Sequence, residues 1–572
     1  MSGKNELKTL YTDLAKEVGD VPHNEYPRPL MERDSFLCLN GKWDFCVTKS
    51  GETPEYGEKI LVPFPPESAL SEIGKVFEDG SYYNYRRSFS LPEGFNRGKV
   101  LLNFGAVDRE CEVYVNGTLA GVHRGGYFPF SFDITALLRD ENLLCVRAFD
   151  KLGDYMMPYG KQKLKRGGMW YTPVSGIWQT VWLESVPEEH IVSLEHTVDL
   201  TGADITVNAC GTGAIVTVHT ESGDITKETD ADGRVRFDIP SPRLWSPEDP
   251  YLYGYTVKCG EDTVKSYFGL RTVEIGEVNG KKRMLLNGKP YFYNGLLDQG
   301  YWSDGLFLPA TEQGYANDVN CAKSLGFNML RKHIKIEPQR FYYECDRSGI
   351  AVFQDMINNG KYSFFFDTAL PTVLTKHRLN PFAHRDEEQR AEFVSAMEQT
   401  VSLLKNHPSI VLWTVFNEGW GQFDTDNVAK KLKALDPSRH IDSASGWYIC
   451  KNNEFDSRHV YFKKFKVGKV DKPLYLSEFG GYSYKPEGHV FNTEETYGYR
   501  MFESGEKYAD AVEELFEREV IPAVKEGLCA TVYTQLSDVE DETNGVITYD
   551  RKVVKLRPER MRQIAEKIKK EL

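Results

Sequence analysis

The second half of this chain sets the tightest limit on its fold. From about Arg283 onward, short apolar runs and amphipathic stretches take turns to the end of the 572-residue sequence. PYFYNGL, FNMLRKH, IAVFQDM, SIVLWTVFNE, PLYLSEFGG and LCATVYTQLSD have the β-branched and aromatic content of buried strands. EQGYANDVNCAKSLG, PQRFYYECDRSG, EEQRAEFVSAMEQTVSLLKN, DNVAKKLKALDPS and AVEELFEREVIPAVKEG lie between them with helical spacing, and RMRQIAEKIKKEL closes the chain. Strands that are apolar on both faces need helices on both faces, so the alternation predicts a parallel sheet covered by helices. The stretch exceeds the roughly 250 residues of a (β/α)8 TIM barrel, which is the leading expectation. A doubly wound sheet is the alternative, but no Gly-x-Gly-x-x-Gly follows a strand.

The N-terminal half reads differently. From about Leu37 to Leu183 short strands and turns dominate, as in LNGKWDFCV and KVLLNFGAVDRECEVYVNG, the latter closed by Asn-Gly. This predicts a jelly-roll-like β-sandwich over residues 1–186. From 187 to 277 the strands are shorter and evenly spaced, which predicts an immunoglobulin-like β-sandwich, leaving 278–572 for the barrel.

Composition narrows the function. A net charge of −14 gives no footprint for nucleic acid. No run approaches the roughly 20 apolar residues of a membrane span, and the first residues have no apolar core of a signal peptide. The 10 cysteines form no Cys-x-x-Cys pair and mostly sit in apolar runs, which suits free thiols in a reducing cytoplasm. Aromatic residues reach 13%, a content that fills sandwich cores and can also stack on sugar faces.

Barrel chemistry sits at the C-terminal ends of the strands. Polar residues that abruptly end apolar runs are therefore the candidates. Glu418 ends SIVLWTVFN, Glu478 ends PLYLS, Asp355 ends IAVFQ, and Arg331 and His333 end FNML. Asp298 and Gln299 follow YFYNGLL, while Tyr533, Gln535 and Asp538 lie in or after TVYTQLS. Glu418 and Glu478, 60 residues apart, form the central pair. Two carboxylates facing each other are what glycosidic cleavage requires: one protonated to supply the leaving oxygen, the other ionised to attack or to activate water. Like charge at short range is expected to raise each carboxyl's pKa. A metal site built from His333, His459, Asp355 and Asp538 is the competing reading. No His-x-x-x-His or Cys cluster supports it, so neither metal nor cofactor is expected.

With these motifs in view, the sequence resembles glycoside hydrolase family 2, the family of β-galactosidases, β-glucuronidases and β-mannosidases. NHPSIVLWTVFNEGWG (406–421) resembles its acid/base segment and PLYLSEFGGY (473–482) its nucleophile segment. EYPRP, LNGKWDF, VYVNG, GGYFPFSFDIT, GIWQTVWLE and SYFGLRTVEI follow in the family's order. The resemblance implies Glu418 as acid/base, Glu478 as nucleophile, and retention through a covalent glycosyl-enzyme. It further implies that Asn417 bonds a sugar 2-hydroxyl, and that Tyr461, in the RHVYF segment with His459, bonds the nucleophile. Trp447, Trp302 and Trp420 are candidates for stacking on sugar or for core packing.

Three departures qualify the resemblance. Asp298-Gln299 stands where a His-Glu element is expected, and Arg331-Lys332-His333 is one residue shorter than Arg-x-x-His. No Asn-x-Lys, the uronate-binding motif of β-glucuronidases, follows Glu478. The expectation is an exo-acting retaining glycosidase of a terminal β-pyranoside, β-galactosidase-like, with α-L-arabinopyranoside and β-glucuronide as alternatives. A non-catalytic carbohydrate-binding protein and an endo-glycanase are the readings from other classes. A carbohydrate is the expected partner, with a homo-oligomer left open. The aromatic segment 358–374 is expected over the barrel mouth, either as a platform for the leaving group or as a packed cluster.

Overall fold

The computed structural model describes residues 7–211, 213–369 and 384–572. The part of segment 358–374 beyond residue 369 lies outside the described residues.

The N-terminal unit is a sandwich of two antiparallel sheets. One has six strands, ordered Glu58–Val62, Gly41–Thr48, Ser81–Phe89, Asn142–Asp150, Glu110–Val115 and Thr118–Arg124. The other has four, ordered Phe36–Cys38, Val181–Val186, Lys99–Phe104 and Phe130–Asp133. Alternate residues of facing strands, among them Trp43, Phe45, Tyr85, Leu102, Val113 and Leu183, fill the space between the sheets. The second unit stacks a three-stranded sheet (His190–Val198, Gly202–Cys210, Arg234–Asp238) on a four-stranded one (Gly223–Glu228, Ile215–Thr220, Tyr253–Cys259, Asp262–Phe268).

The C-terminal unit has eight parallel strands, as the strand–helix alternation demands. In chain order they are β1 (Tyr293–Asp298), β2 (Met329–Lys332), β3 (Ala351–Asp355), β4 (Ile410–Asn417), β5 (His440–Ser445), β6 (Asp456–Val460), β7 (Leu474–Gly480) and β8 (Leu528–Thr534). Pairing runs β5-β4-β3-β2-β1-β8-β7-β6. Between β5 and β6 side chains bridge the gap instead: Ser457 Oγ donates to Asp442 Oδ2 (2.7 Å), and Ser445 Oγ meets His459 Nε2 (3.0 Å).

Every strand but β6 is buried on both faces; β6 buries Ser457 and His459 and leaves Asp456, Arg458 and Val460 half-buried. Leu297, Met329, Phe353, Leu412, Tyr475 and Val532 point inward to the axis, where Met284 of the preceding hairpin (Val273–Val278, Lys281–Leu286) closes the N-terminal end. Leu296, Leu330, Trp413, Leu476 and Tyr533 point outward to the helical layer. That layer is built by Gln313–Ser324, Gln339–Ser348, Glu387–Leu404, Thr425–Leu435, Gly505–Leu515, Ile521–Glu526 and Pro558–Lys570. Local chemistry sets the helix ends: Asp386 accepts from the amides of Glu388 and Gln389, and Ser504 from that of Lys507.

Candidate active site

Arg331, wholly buried at the end of β2, organises the C-terminal rim. Its Nε and Nη2 donate to the two oxygens of Asp355 (3.0 Å each), a bidentate pair that fixes the guanidinium plane. Nη1 reaches Glu478 Oε1 (3.1 Å) and Nη2 reaches Asn417 Oδ1 (2.8 Å). One cation thus joins the ends of β2, β3, β4 and β7. Because the Asn417 carbonyl oxygen takes this bond, its Nδ2 is left to donate elsewhere. His333 Nδ1 lies 2.9 Å from Asp355 Oδ2, so both ring and guanidinium are held by the same carboxylate.

His459 stands between the two glutamates. Its Nδ1 is 2.7 Å from Glu418 Oε1 and its Nε2 is 3.6 Å from Glu478 Oε1. Ligand-type atoms of Glu418, His459 and Glu478 all lie within 4.8 Å of one another. Such a triad has the spacing of a metal site, but the Arg331 guanidinium already sits on Glu478 and opposes a second cation there. The Tyr461 hydroxyl donates to Glu478 Oε2 and meets Thr534 Oγ1 at 3.0 Å. The ring of Trp447 lies 5.7 Å from that of His459, and its buried Nε1 has no hydrogen-bond partner among the described residues. Glu418 itself adopts a left-handed backbone (φ 52°), which turns it off the strand axis.

Electrostatics separate Glu478 from the simple expectation. Burial alone pushes the Glu478 carboxyl up. His459, Arg331 and His333, with the Tyr461 hydrogen bond, outweigh it and hold it at about 2, not above the ordinary value as mutual repulsion predicts. Asp355 behaves likewise: burial raises it, and Arg331 and His333 bring it below the usual carboxylate range. Burial and the neighbouring Glu478 charge keep the Tyr461 hydroxyl protonated, so it stays a donor.

The structure brings Glu418, Glu478, Asn417, Arg331, His333, Asp355, His459, Tyr461 and Trp447 to one place. Gln299 and Gln535 lie beside it, joined through Gln299 Nε2 to Gln535 Oε1 (2.9 Å). Three expected residues lie elsewhere. Asp298 turns outward and is neutralised by Lys332 (2.6 Å). Tyr533 packs beneath the helices against Phe479 and Phe516. Asp538 is tied to Lys555 (2.6 Å) and the Gly545 amide (2.8 Å). Trp302 is buried against the Arg551 guanidinium (4.1 Å), a core position. Trp420 joins an aromatic cluster with Tyr159, Trp170 and Tyr362 that pins the sandwich to the rim. Among the described residues Phe364, Phe365 and Phe366 are exposed, and the rings of Phe365 and Phe366 meet edge to face at 5.2 Å.

Sequence reading misses Thr534, Ser445 and Glu542. The first two are small hydroxyls inside strands and carry no distinguishing signal. Glu542 sits in the acidic run SDVEDETNG, seven residues after Gln535, where its strand-end neighbours give the only clue.

Comparison with known proteins bears on the whole chain. Residues 277–555 match the model described as glycosyl hydrolases family 2, TIM barrel domain. Residues 190–271 match glycosyl hydrolases family 2, and 56–187 match the sugar binding domain of the same family. A β-galactosidase of Thermoanaerobacter pseudethanolicus is 27% identical over 441 residues, 71% of this chain and 54% of that protein. A β-glucuronidase of Chlorocebus aethiops is 26% identical over 480 residues, 73% of this chain and 70% of that protein. The chain spans about half the length, or less, of the curated β-galactosidases it matches. Among solved structures, a β-D-glucuronidase of Dictyoglomus thermophilum superposes with a TM-score of 0.74 at 19% identity, covering 95% of this chain and 98% of that one.

Proposed function

Because this chain belongs to glycoside hydrolase family 2, we propose that it is a retaining, exo-acting β-glycosidase working by double displacement. The observation that carries the reading is the spacing of Glu418 and Glu478, whose nearest carboxyl oxygens lie within 4.8 Å. Retaining enzymes place their carboxyls about 5–5.5 Å apart, and inverting ones leave about 6.5–9.5 Å for a water. Glu478 has the environment of a nucleophile: Arg331 and Tyr461 keep it ionised and aim its oxygens. It attacks the anomeric carbon, and the bond to the leaving oxygen breaks as Glu418 gives that oxygen its proton. Glu418, now ionised, then takes a proton from water, which attacks the same carbon and frees Glu478. His459 contacts both carboxyls and positions Glu418 for each step. Asn417 Nδ2 is the donor for the 2-hydroxyl.

The glycone is read as β-galactoside-like, with α-L-arabinopyranoside as a stereochemical relative. β-Glucuronide is the second reading, which the name of the Chlorocebus relative favours. No helix among the described residues is long and apolar enough to cross a membrane, and the free cysteines suit a reducing cytoplasm.

The test is a panel of aryl glycosides with leaving groups of graded acidity. Glu478→Gln should lose at least 10³-fold in kcat on every substrate. Glu418→Gln should lose most on poor leaving groups and little in the first step on activated ones, since only the former need the proton. A Glu478→Gln enzyme with near-wild-type turnover would overturn the mechanism.

A further inference from the structure

Glu542 is a third buried carboxylate at this pocket, and the double displacement gives it no task. It lies on the loop after β8, in a turn closed by paired backbone bonds with Val539 (2.9 and 3.0 Å). Its side chain is held from two domains. Gln535 Nε2 donates to Oε2 at 3.1 Å, and the Tyr171 hydroxyl, from the N-terminal sandwich, donates to the same oxygen. Oε1 takes no hydrogen bond among the described residues, although the residue is 4% exposed. No cation lies within ion-pair distance of the carboxylate among those residues, and Lys161 acts on it from farther away.

Its position ties it to the nucleophile. Gln535 directly follows Thr534, whose hydroxyl meets Tyr461, and Tyr461 donates to Glu478. The Glu542 backbone bridges to Tyr497, whose ring is 6.2 Å from Tyr499, and Tyr499 stacks on Tyr461 at 3.9 Å. Glu542 therefore belongs to the wall that carries Tyr461. Next to it two amide atoms, Gln299 Oε1 and Asn544 Nδ2, are buried without partners among the described residues. Gln535 connects both side chains to Glu542 (2.9 and 2.8 Å). Buried polar atoms are normally satisfied, so a cluster that leaves several open is shaped for the polar groups of a ligand.

We propose that Glu542 selects a neutral glycone, accepting hydrogen bonds from sugar hydroxyls at Oε1 and disfavouring a uronate carboxylate. The proposal rests on the β-glycosidase reading and deepens it by choosing between the galactoside and glucuronide alternatives. A sugar hydroxyl satisfies an open carboxylate oxygen, whereas a uronate brings a like charge into a site that already holds Glu478 and Glu542. Burial pushes the Glu542 carboxyl up and Glu478 adds to that push, while Lys161 offsets it. A site built to bond hydroxyls discriminates strongly against a ligand that leaves those groups unpaired.

The experiment compares kcat/KM on p-nitrophenyl β-D-galactopyranoside and p-nitrophenyl β-D-glucuronide, for wild type and Glu542→Gln. Wild type should prefer the galactoside at least tenfold. Glu542→Gln should lose about tenfold on the galactoside, chiefly through KM, and shift the ratio toward the glucuronide by tenfold or more. Wild type also serves without any variant: D-galactose should raise its Tm and D-galacturonate should not. Galactoside turnover with an unchanged ratio in a well-folded Glu542→Gln overturns the assignment of Glu542 alone. So does wild-type preference for the uronide, or protection by galacturonate. Failure of wild type on every glycoside of the panel overturns the β-glycosidase reading as well.

Discussion

At the scale of single residues the site is an arrangement for holding one carboxylate ionised in a buried place. A buried carboxylate without compensation would bind a proton, yet Glu478 is held at about 2 despite the burial that pushes it up. The Tyr461 hydroxyl is the most separable contributor, because Tyr461→Phe removes one hydrogen bond and keeps the ring stacked on Tyr499. A hydrogen bond to a charged group contributes about 1.5–3 kcal/mol, equivalent to roughly one to two pH units. In the mechanism proposed here Glu478 must be ionised to attack, so activity should fall as pH drops through its pKa. Tyr461→Phe should therefore move the acid limb of the kcat/KM profile upward by about one unit. Measurement down to pH 2 on an activated aryl glycoside reads this, since Glu478 is held at about 2 in the wild type. A lower kcat with an unmoved limb would mean that Tyr461 positions Glu478 without setting its ionisation. The same depression makes Glu478 a source of stability above its unfolded value, lost as pH falls toward 2.

At the scale of elements the two-residue period of a strand decides which side chains reach the site. Leu297 faces the axis, so Asp298 faces out to Lys332 and Gln299 returns inward. Val532 faces in, Tyr533 out, and Thr534 in again to meet Tyr461. A strand-end polar residue is thus legible in sequence as rim material, but its facing is not, because that depends on register and on irregularities such as the one in β7 between Leu476 and Phe479. β4 and β7 were readable because they are long apolar runs that end in a carboxylate. β5 (HIDSAS) and β6 (DSRHV) carry no such run. Their polarity has a structural reason: Asp442, Ser445, Ser457 and His459 bridge the two strands where backbone pairing is missing.

The turn after β5 is equally constrained. Gly446 has φ +81°, and a Cβ there would meet the His459 ring at 2.5 Å. Gly446→Ala should displace His459 from Glu418, costing tenfold or more in kcat along with about 1–2 kcal/mol of stability from the left-handed backbone. Wild-type kcat in this variant would show that the contact of His459 with Glu418 is dispensable.

At the scale of the whole molecule the barrel's two ends have different work. The C-terminal rim is completed from the sandwich: Tyr171 reaches Glu542, Arg166 pairs with Asp541 (2.9 Å), and the Tyr159 amide donates to the Asn358 carbonyl (3.0 Å). The opposite end is locked by the second domain. There Asp346, wholly buried, takes the Tyr267 hydroxyl (2.8 Å), lies 2.6 Å from His407 Nδ1, and accepts the Ser409 amide (2.9 Å) just before β4. Arg271 adds bonds to the carbonyls of Pro408 and Ile410 (2.9 and 2.7 Å). Asp346→Asn keeps the shape but removes the charge that three donors share. Removing one partner of a buried charged cluster costs about 3–5 kcal/mol. That should lower Tm by roughly 5 °C or more. Because Asp346, on the helix Gln339–Ser348, grips the segment leading into β4 while Glu418 lies just beyond the far end of that strand, kcat of the folded enzyme at 25 °C should stay within about twofold of wild type. Tyr171→Phe makes the opposite case, raising KM while lowering Tm less than Asp346→Asn, since Glu542 keeps its bond from Gln535 and loses one donor contributing about 1.5–3 kcal/mol. Measured together by thermal melts and steady-state kinetics, the two variants separate the ends. A large kcat loss in Asp346→Asn with an unchanged Tm would mean that the second domain tunes the rim through β4 instead of only holding the barrel.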